Sequence, residues 1–341
     1  MGYLRPLGAP FVAALVLALV LTPACRALAR AAGFLDRPTS RKPHKQPTPL
    51  LGGAAILGAF AAAVLARGDV RRALWGILAG AALLLVLGLV DDRRGMHPWV
   101  KLGGQAVAAV VVVDSGVRVG FLGDGLAGVA FTLVWIVGIT NAFNLLDNMD
   151  GLSAGVGAIS AAAFAVLASR YVSLGWEQYP TAIAAAAFAG ACLGFLPYNL
   201  GGSSIFMGDA GSMPLGLILA SLAVFGNWVS PTLPTSLAIP VLILAYPIFD
   251  TALVTFCRWR DGRLVFQGGT DHSSHRLVNL GLRRTEAVIL IYLFAAFHAV
   301  TAFLVSSATL RLSLLALALS AIILAVFGLI LARAPAGARD E

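Results

Sequence analysis

The sequence predicts an all-α polytopic membrane protein with about eleven transmembrane helices, and three observations carry that prediction. Hydrophobic residues make up 59 % of the 341 and charged residues only 12 %, against about 25 % charged in a soluble domain. Apolar runs of helical length recur from one end to the other, each close to the roughly 20 residues that cross a bilayer core. The basic residues are shared unevenly between alternate ends of those runs.

Taken in order, the runs lie near 8–30, 50–67, 73–90, 99–114, 125–146, 150–169, 179–197, 210–228, 233–256, 286–306 and 312–332. They leave no room for a separate soluble domain, and no repeat, linker or low-complexity tail interrupts them. Residues 1–341 therefore read as one integral membrane domain. The first run passes into Ala27-Leu28-Ala29, which has the look of a signal-peptidase site. A signal peptide carries its positive charge ahead of the apolar run. Here only Arg5 precedes it, while Arg26, Arg30, Arg37, Arg41, Lys42 and Lys45 follow. It reads as a retained helix with its N terminus outside, and eleven spans then put the C terminus in the cytosol. In that topology 17 of the 24 basic residues lie at cytosolic ends and seven outside, as the positive-inside rule requires. The net charge of +8 follows from topology and calls for no nucleic-acid partner. Cys25, Cys192 and Cys257 show no CxxC or Cys/His spacing, which leaves them as packing residues rather than disulfides or zinc ligands.

Carboxylates in or beside membrane helices are costly and mark function, and this topology gathers nearly all of them at the inner face. Asp91 and Asp92 end the third run, Asp147 and Asp150 join the fifth to the sixth, and Asp209 opens the eighth. Asp250 lies near the inner end of the ninth, with Asp261 and Asp271 after it. Asp91 and Asp92 repel each other unless a cation or base is close, and Lys101 is the candidate; the plain alternative is two solvated residues ending a helix. Asn141, Asn144, Asp147 and Asp150 are spaced by three and form a polar ridge on a helix. Such a ridge lines a watery cleft or a ligand, although Asn also bonds between helices.

At 206–212, F-M-G-D-A-G-S reads as a glycine-bracketed turn opening a helix. Its amides attract phosphate, whereas Asp209 repels phosphate unless a metal bridges them, or serves as an N-cap. The stretch 257–285 gathers Arg258, Arg260, Arg263, His272, His275 and Arg276, a basic cluster that suits lipid headgroups. His272 and His275 have metal-ligand spacing, but the Asp and Asn oxygens elsewhere favour a hard cation such as Mg2+ with phosphate as co-ligand. That leaves the histidines to donate hydrogen bonds to phosphate. The loop at 36–53 is proline-rich and extended, and carries Lys42 and His44; its charges also serve topology.

In this order, R-K-x-H-x-x-P-x-P-x-x-G-G (41–53), Asp91-Asp92 with Lys101, N-A-F-N-L-L-D-N-M-D-G-L (141–152), F-M-G-D-A-G-S and H-S-S-H-R-L (272–277) resemble one family. It is that of the polyprenyl-phosphate N-acetylhexosamine-1-phosphate transferases, of the glycosyltransferase family 4 type. The resemblance runs from 36 to 277. Its H-x-x-H-R-L ending is closer to the bacterial undecaprenyl-phosphate N-acetylglucosamine-1-phosphate transferases than to the phospho-N-acetylmuramoyl-pentapeptide transferases. It implies transfer of a sugar-1-phosphate, N-acetylglucosamine-1-phosphate above all, from a UDP-sugar to a polyprenyl phosphate in the bacterial inner membrane, with UMP released on the cytosolic side. Asn144 and Asp209 are then expected to hold Mg2+, or Mn2+ in its place. Asp91, Asp92 and Lys101 form the expected catalytic set, with Lys101 on the lipid phosphate. Lys42, His44, Asn141, Asp147, Asp150, His272, His275 and Arg276 are the expected substrate-binding residues, Asp150 near the uracil and the last three toward pyrophosphate or sugar.

Dimerisation is known in the family. Gly76 and Gly80 form a GxxxG that fits close helix packing within the chain or between two copies. Two departures bear on sugar identity: many bacterial members read D-G-x-D-G where this chain has Asn148, and H-x-H-H-R-L where it has Ser274. The acceptor phosphate, with a second pKa of about 6, is mostly dianionic at neutral pH. Direct attack is therefore expected, and a covalent aspartyl-phosphate is the rival. A secondary transporter is the reading from another class, but its sites lie at the bilayer midplane within paired repeats, and none is visible here. A lipid phosphatase would need neither the Asn/Asp ridge nor a nucleotide.

Overall fold

The computed structural model describes residues 5–37, 47–68, 70–123, 125–175, 177–226, 228, 232–264, 269 and 271–335. Two compact units divide the chain, Met1–Asn227 and Trp228–Glu341. The first holds α1 (Arg5–Ala31), a two-residue antiparallel pair of β1 (Leu35–Asp36) with β2 (Thr48–Pro49), α2 (Gly52–Leu65), α3 (Arg72–Arg94) and α4 (Pro98–Asp114). It continues through α5 (Leu126–Leu146), α6 (Leu152–Ser173), α7 (Tyr179–Asn199) and α8 (Asp209–Phe225). The second holds α9 (Leu233–Ile243), α10 (Ala245–Arg260), α11 (Ser273–Asn279), α12 (Arg284–Ser307) and α13 (Leu310–Arg333).

Each apolar run of the sequence becomes helix. Among the described residues seven helices are long and apolar enough to cross a membrane, eight if the bent pair α9–α10 counts as one span. The chain is a polytopic helical membrane protein. The runs expected at 50–67, 99–114 and 210–228 give helices of only 14, 17 and 17 residues. The physical reason is plainest in α8, which is buried throughout 210–223 and packs against α3 and α5. A helix enclosed by protein has no need to match the bilayer thickness.

The ninth run differs from the single helix expected over 233–256: α9 and α10 meet at Leu244 with an 80° bend. Pro247 accounts for it. Its nitrogen carries no hydrogen for the Ile243 carbonyl, and its ring crowds that carbonyl. The GxxxG of α3 is used within the chain, because Gly76 faces Ser115 and Gly80 faces Val112 and the Ala108 carbonyl. Cys192 and Cys257 are buried and Cys25 partly so, all as free thiols.

Candidate active site

In the first unit, the C-terminal ends of α3 and α5 and the N-terminal ends of α2, α4, α6 and α8 carry the polar residues. Asp209 is the node. Its Oδ2 accepts a hydrogen bond from Lys101 Nζ at 2.6 Å, and its Oδ1 accepts one from Asn144 Nδ2 at 2.6 Å. Lys101 Nζ also lies 3.0 Å from Asp91 Oδ2, and Asn144 Nδ2 reaches Ser212 Oγ at 2.9 Å. The partners are largely withdrawn from solvent, with the side chains of Asp91, Lys101 and Asp209 11 %, 17 % and 31 % exposed. At that depth the lysine is the charge that allows two carboxylates to share one place.

Asp92 does something different from its neighbour. Its Oδ1 accepts from the Asp209 amide at 2.9 Å and its Oδ2 from the Ala210 amide at 3.1 Å. A carboxylate from α3 thus caps the N terminus of α8, where free amides and the helix dipole favour negative charge. The cap requires close approach, and glycines supply it. Gly208 has φ +70°, and a Cβ there would lie 2.5 Å from Asp92 Oδ2. Gly53 and Gly211 touch backbone to backbone, a Cβ on Gly53 coming within 2.2 Å of Gly211 Cα. Backbone hydrogen bonds from Gly52 to the Phe206 carbonyl (3.0 Å) and from Gly53 to the Met207 carbonyl (3.2 Å) complete the joint. The G-G of the first loop and F-M-G-D-A-G-S are therefore two halves of one structure. Lys42 and His44 lie outside the described residues.

The ridge of Asn141, Asn144, Asp147 and Asp150 divides by depth. Asn144 joins Asp209, while Asn141 lies a turn further into α5 and pairs with Gln105. Asp147, partly buried between α5 and α6, has its carboxyl pushed up to about 8 by removal from water, then by the carboxylates of Asp209, Asp92 and Asp150. Asp150 Oδ2 accepts from the amides of Gly202 (3.3 Å) and Ser203 (3.1 Å). Asn199, which sequence reasoning passed over, ties the same two segments: its Oδ1 accepts from the Gly151 amide (3.0 Å), and its Nδ2 donates to Ser203 Oγ (3.2 Å) and the Ile205 carbonyl (3.0 Å). The available signal was an Asn ending an apolar run just before Gly201-Gly202. Asn148 Nδ2 donates to the Leu145 carbonyl at 2.8 Å, so this departure caps the end of α5.

The second unit carries its own polar cluster. Asp250, buried on α10, bonds His272 Nδ1 through Oδ2 (2.8 Å) and accepts from the Ser273 amide (2.7 Å) and hydroxyl through Oδ1. Tyr246 shares the Ser273 hydroxyl at 2.6 Å. Asp271 takes Arg258 Nε on Oδ2 (3.1 Å) and Arg263 Nη2 on Oδ1 (2.9 Å). Against the upward push of burial, these guanidiniums hold its carboxyl below the usual range. Arg276 is 1 % exposed and donates to three carbonyls, Asp271 (2.8 Å), Leu331 (3.0 Å) and Ala334 (2.9 Å). Within α11 only His275 and Val278 reach the surface. Burial, then His272 and Arg284, push the His275 imidazole down to about 4, so it is a neutral hydrogen-bonding group at pH 7.

The first cluster is also where a cation fits. Asp91, Asp92 and Asp209 outnumber Lys101, so the site repels a pyrophosphate until further positive charge arrives. Its carboxylate oxygens suit a hard cation, while Asn144 turns its Nδ2 toward Asp209 and Ser212. Among the described residues no three His, Cys, Asp or Glu side chains converge as a metal cage.

Residues 74–227 match the model of glycosyl transferase family 4. The chain is 35 % identical over 314 residues to a Bacillus subtilis protein named probable undecaprenyl-phosphate N-acetylglucosaminyl 1-phosphate transferase, covering 89 % of this chain and 86 % of that one. It is 33 % identical over 324 residues to decaprenyl-phosphate N-acetylglucosaminephosphotransferase of Mycolicibacterium smegmatis, covering 85 % and 80 %. Over 201 residues it is 35 % identical to phospho-N-acetylmuramoyl-pentapeptide-transferase of Limosilactobacillus reuteri, covering 53 % and 61 %. With its acidic node on matched helices and relatives of this kind over most of its length, the chain belongs to glycosyl transferase family 4.

Proposed function

We propose that the protein transfers N-acetylglucosamine-1-phosphate from UDP-N-acetylglucosamine to undecaprenyl phosphate, giving polyprenyl-diphosphate-sugar and UMP. This is the first step of a cell-envelope polysaccharide pathway. The observation that carries the reading is the node in which Lys101, Asn144 and Asp91 converge around Asp209. The names of the B. subtilis and M. smegmatis relatives support the substrates.

The reaction brings two anions together. A phosphate oxygen of the acceptor bonds to the β-phosphorus of the donor, and the bond from that phosphorus to the UMP oxygen breaks. Charge neutralisation and positioning are the main demands. Mg2+, held by Asp209 and Asn144 and replaceable by Mn2+, would supply positive charge at the pyrophosphate. Lys101 neutralises the lipid phosphate. Asp91, at 3.0 Å from that amine, orients the acceptor or takes its residual proton. Asp92 keeps Asp209 in place through the α8 amides. The family resemblance alone assigns His272 and His275 to the pyrophosphate or sugar, and Asp150 and Asp147 to the uracil side. A phosphorylated Asp91 after incubation with UDP-sugar alone would replace direct attack with a covalent route.

The same reading sets the topology: eleven helical passages of the bacterial plasma membrane, N terminus outside and C terminus cytosolic. The site then faces the cytosol, where a soluble donor meets a lipid acceptor. The experiment is UMP release by purified protein with undecaprenyl phosphate and Mg2+ across a panel of UDP-sugars. A best rate with UDP-N-acetylglucosamine is expected. Preference for another UDP-N-acetylhexosamine would trace to Asn148 or Ser274, and preference for UDP-N-acetylmuramoyl-pentapeptide would move the chain toward the L. reuteri relative's named activity.

A further inference from the structure

One helical turn inside the Lys101–Asp209–Asn144 layer lies a second polar layer on the same three helices. Gln105 follows Lys101 by four residues on α4, Asn141 precedes Asn144 by three on α5, and Met213 follows Asp209 by four on α8. Gln105 is 1 % exposed. Its Nε2 donates to Asn141 Oδ1 at 3.3 Å and lies 3.4 Å from Met213 Sδ. Asn141 Nδ2 donates back to Gln105 Oε1 at 2.6 Å and to the Val137 carbonyl at 2.9 Å. The amide pair is reciprocal, each side chain giving and taking one bond.

From this geometry we propose that Gln105 and Asn141 are positioning residues, a register lock that sets how α4 and α5 are rotated about α8. An apolar pair of the same volume tolerates sliding and rotation. A reciprocal amide pair does not, because turning either helix breaks both bonds at once and leaves buried polar groups unpaired. Each helix is stiff over a single turn, so the rotation that satisfies the inner layer also brings Lys101 and Asn144 onto Asp209. The inner layer thereby fixes the outer one without touching substrate. It also gives Asn141 a role other than substrate contact. The effect on turnover rests on the transferase reading above, while the lock itself is a statement about three helices.

Four variants test it: Gln105→Leu, Asn141→Leu, the double Gln105→Leu/Asn141→Leu, and the exchange Gln105→Asn/Asn141→Gln. For each, kcat and KM for UDP-N-acetylglucosamine are measured with thermal unfolding, and with the thermal stabilisation given by UDP plus Mg2+. Each single Leu variant is expected to lower both melting temperature and kcat, kcat by about 10- to 100-fold, the range that follows from ångström-scale misplacement, with KM changed less than threefold. The double Leu variant is expected to recover the melting temperature, since no polar group remains unpaired, and to leave kcat low. The exchange keeps one long and one short amide and is expected to recover both. Recovery of kcat by the double Leu variant would overturn the lock and reduce the pair to polar bookkeeping within the bilayer. So would single variants with wild-type kcat. If the wild-type protein releases no UMP, the transferase reading falls. The lock is then judged by whether the double Leu variant loses the UDP–Mg2+ stabilisation that the exchange retains; loss in neither overturns it.

Discussion

Asp91 and Asp92 are adjacent in sequence and separate in function. Consecutive helical residues point about 100° apart, which turns Asp91 toward Lys101 and Asp92 toward the α8 amides. The sequence made the pair, and Lys101 as its cation, legible. It could not reveal the division of roles, because the partners of Asp92 are backbone groups more than a hundred residues away. Different losses are expected on substitution. Asp91→Asn lowers kcat and leaves the Mg2+ concentration for half-maximal rate unchanged. Asp92→Asn presents an NH2 where an acceptor is needed, and raises that Mg2+ concentration roughly tenfold through a displaced Asp209. Equal Mg2+ dependence in the two variants would contradict the division. His275 makes a pH prediction. Its folded value of about 4 lies below the ordinary 6.5, so the folded chain binds fewer protons than the unfolded one between those values. The stability it contributes is complete above 6.5 and lost as pH falls toward 4. His275→Gln is expected to flatten the unfolding temperature across that window, and an unchanged slope would refute the assignment.

At the scale of elements, hydropathy located the long helices but missed the short α11 within the 257–285 stretch and read α9 and α10 as one. The run at 233–256 is continuous in hydropathy, yet Pro247 divides it, a backbone effect invisible to an apolar count. The glycine brackets were legible as a turn, whereas their real use is contact between α2 and α8. Gly53→Ala is expected to cost folded yield as well as activity, because its Cβ would fall 2.2 Å from a backbone atom that cannot move aside. Wild-type yield and rate would mean that the helices separate freely. Arg276 carries the clearest reassignment of emphasis. The resemblance implies contact with pyrophosphate or sugar, while its guanidinium fastens α11 to the end of α13. Arg276→Lys loses the planar fork and is expected to lower stability by about 1–3 kcal/mol, with little change in KM for the donor. A raised KM at unchanged melting temperature would restore the substrate role.

Across the whole molecule, composition and charge asymmetry alone specify a polytopic membrane protein, and order of motifs specifies the family. Asn141 was legible as part of the ridge, but its partner Gln105 was not, since an amide in an apolar run carries no sign of what it faces. The account's central claim is that Asp209, with Lys101, Asn144 and Asp91 around it, is the centre of a metal-dependent sugar-1-phosphate transfer. The most direct test is UMP release from UDP-N-acetylglucosamine by wild type and Asp209→Ala of matched folded yield, with undecaprenyl phosphate and Mg2+ each present or omitted. Release that requires both and disappears in Asp209→Ala is the expected result. Release that persists in Asp209→Ala, or none from any donor by folded wild-type protein, would contradict it.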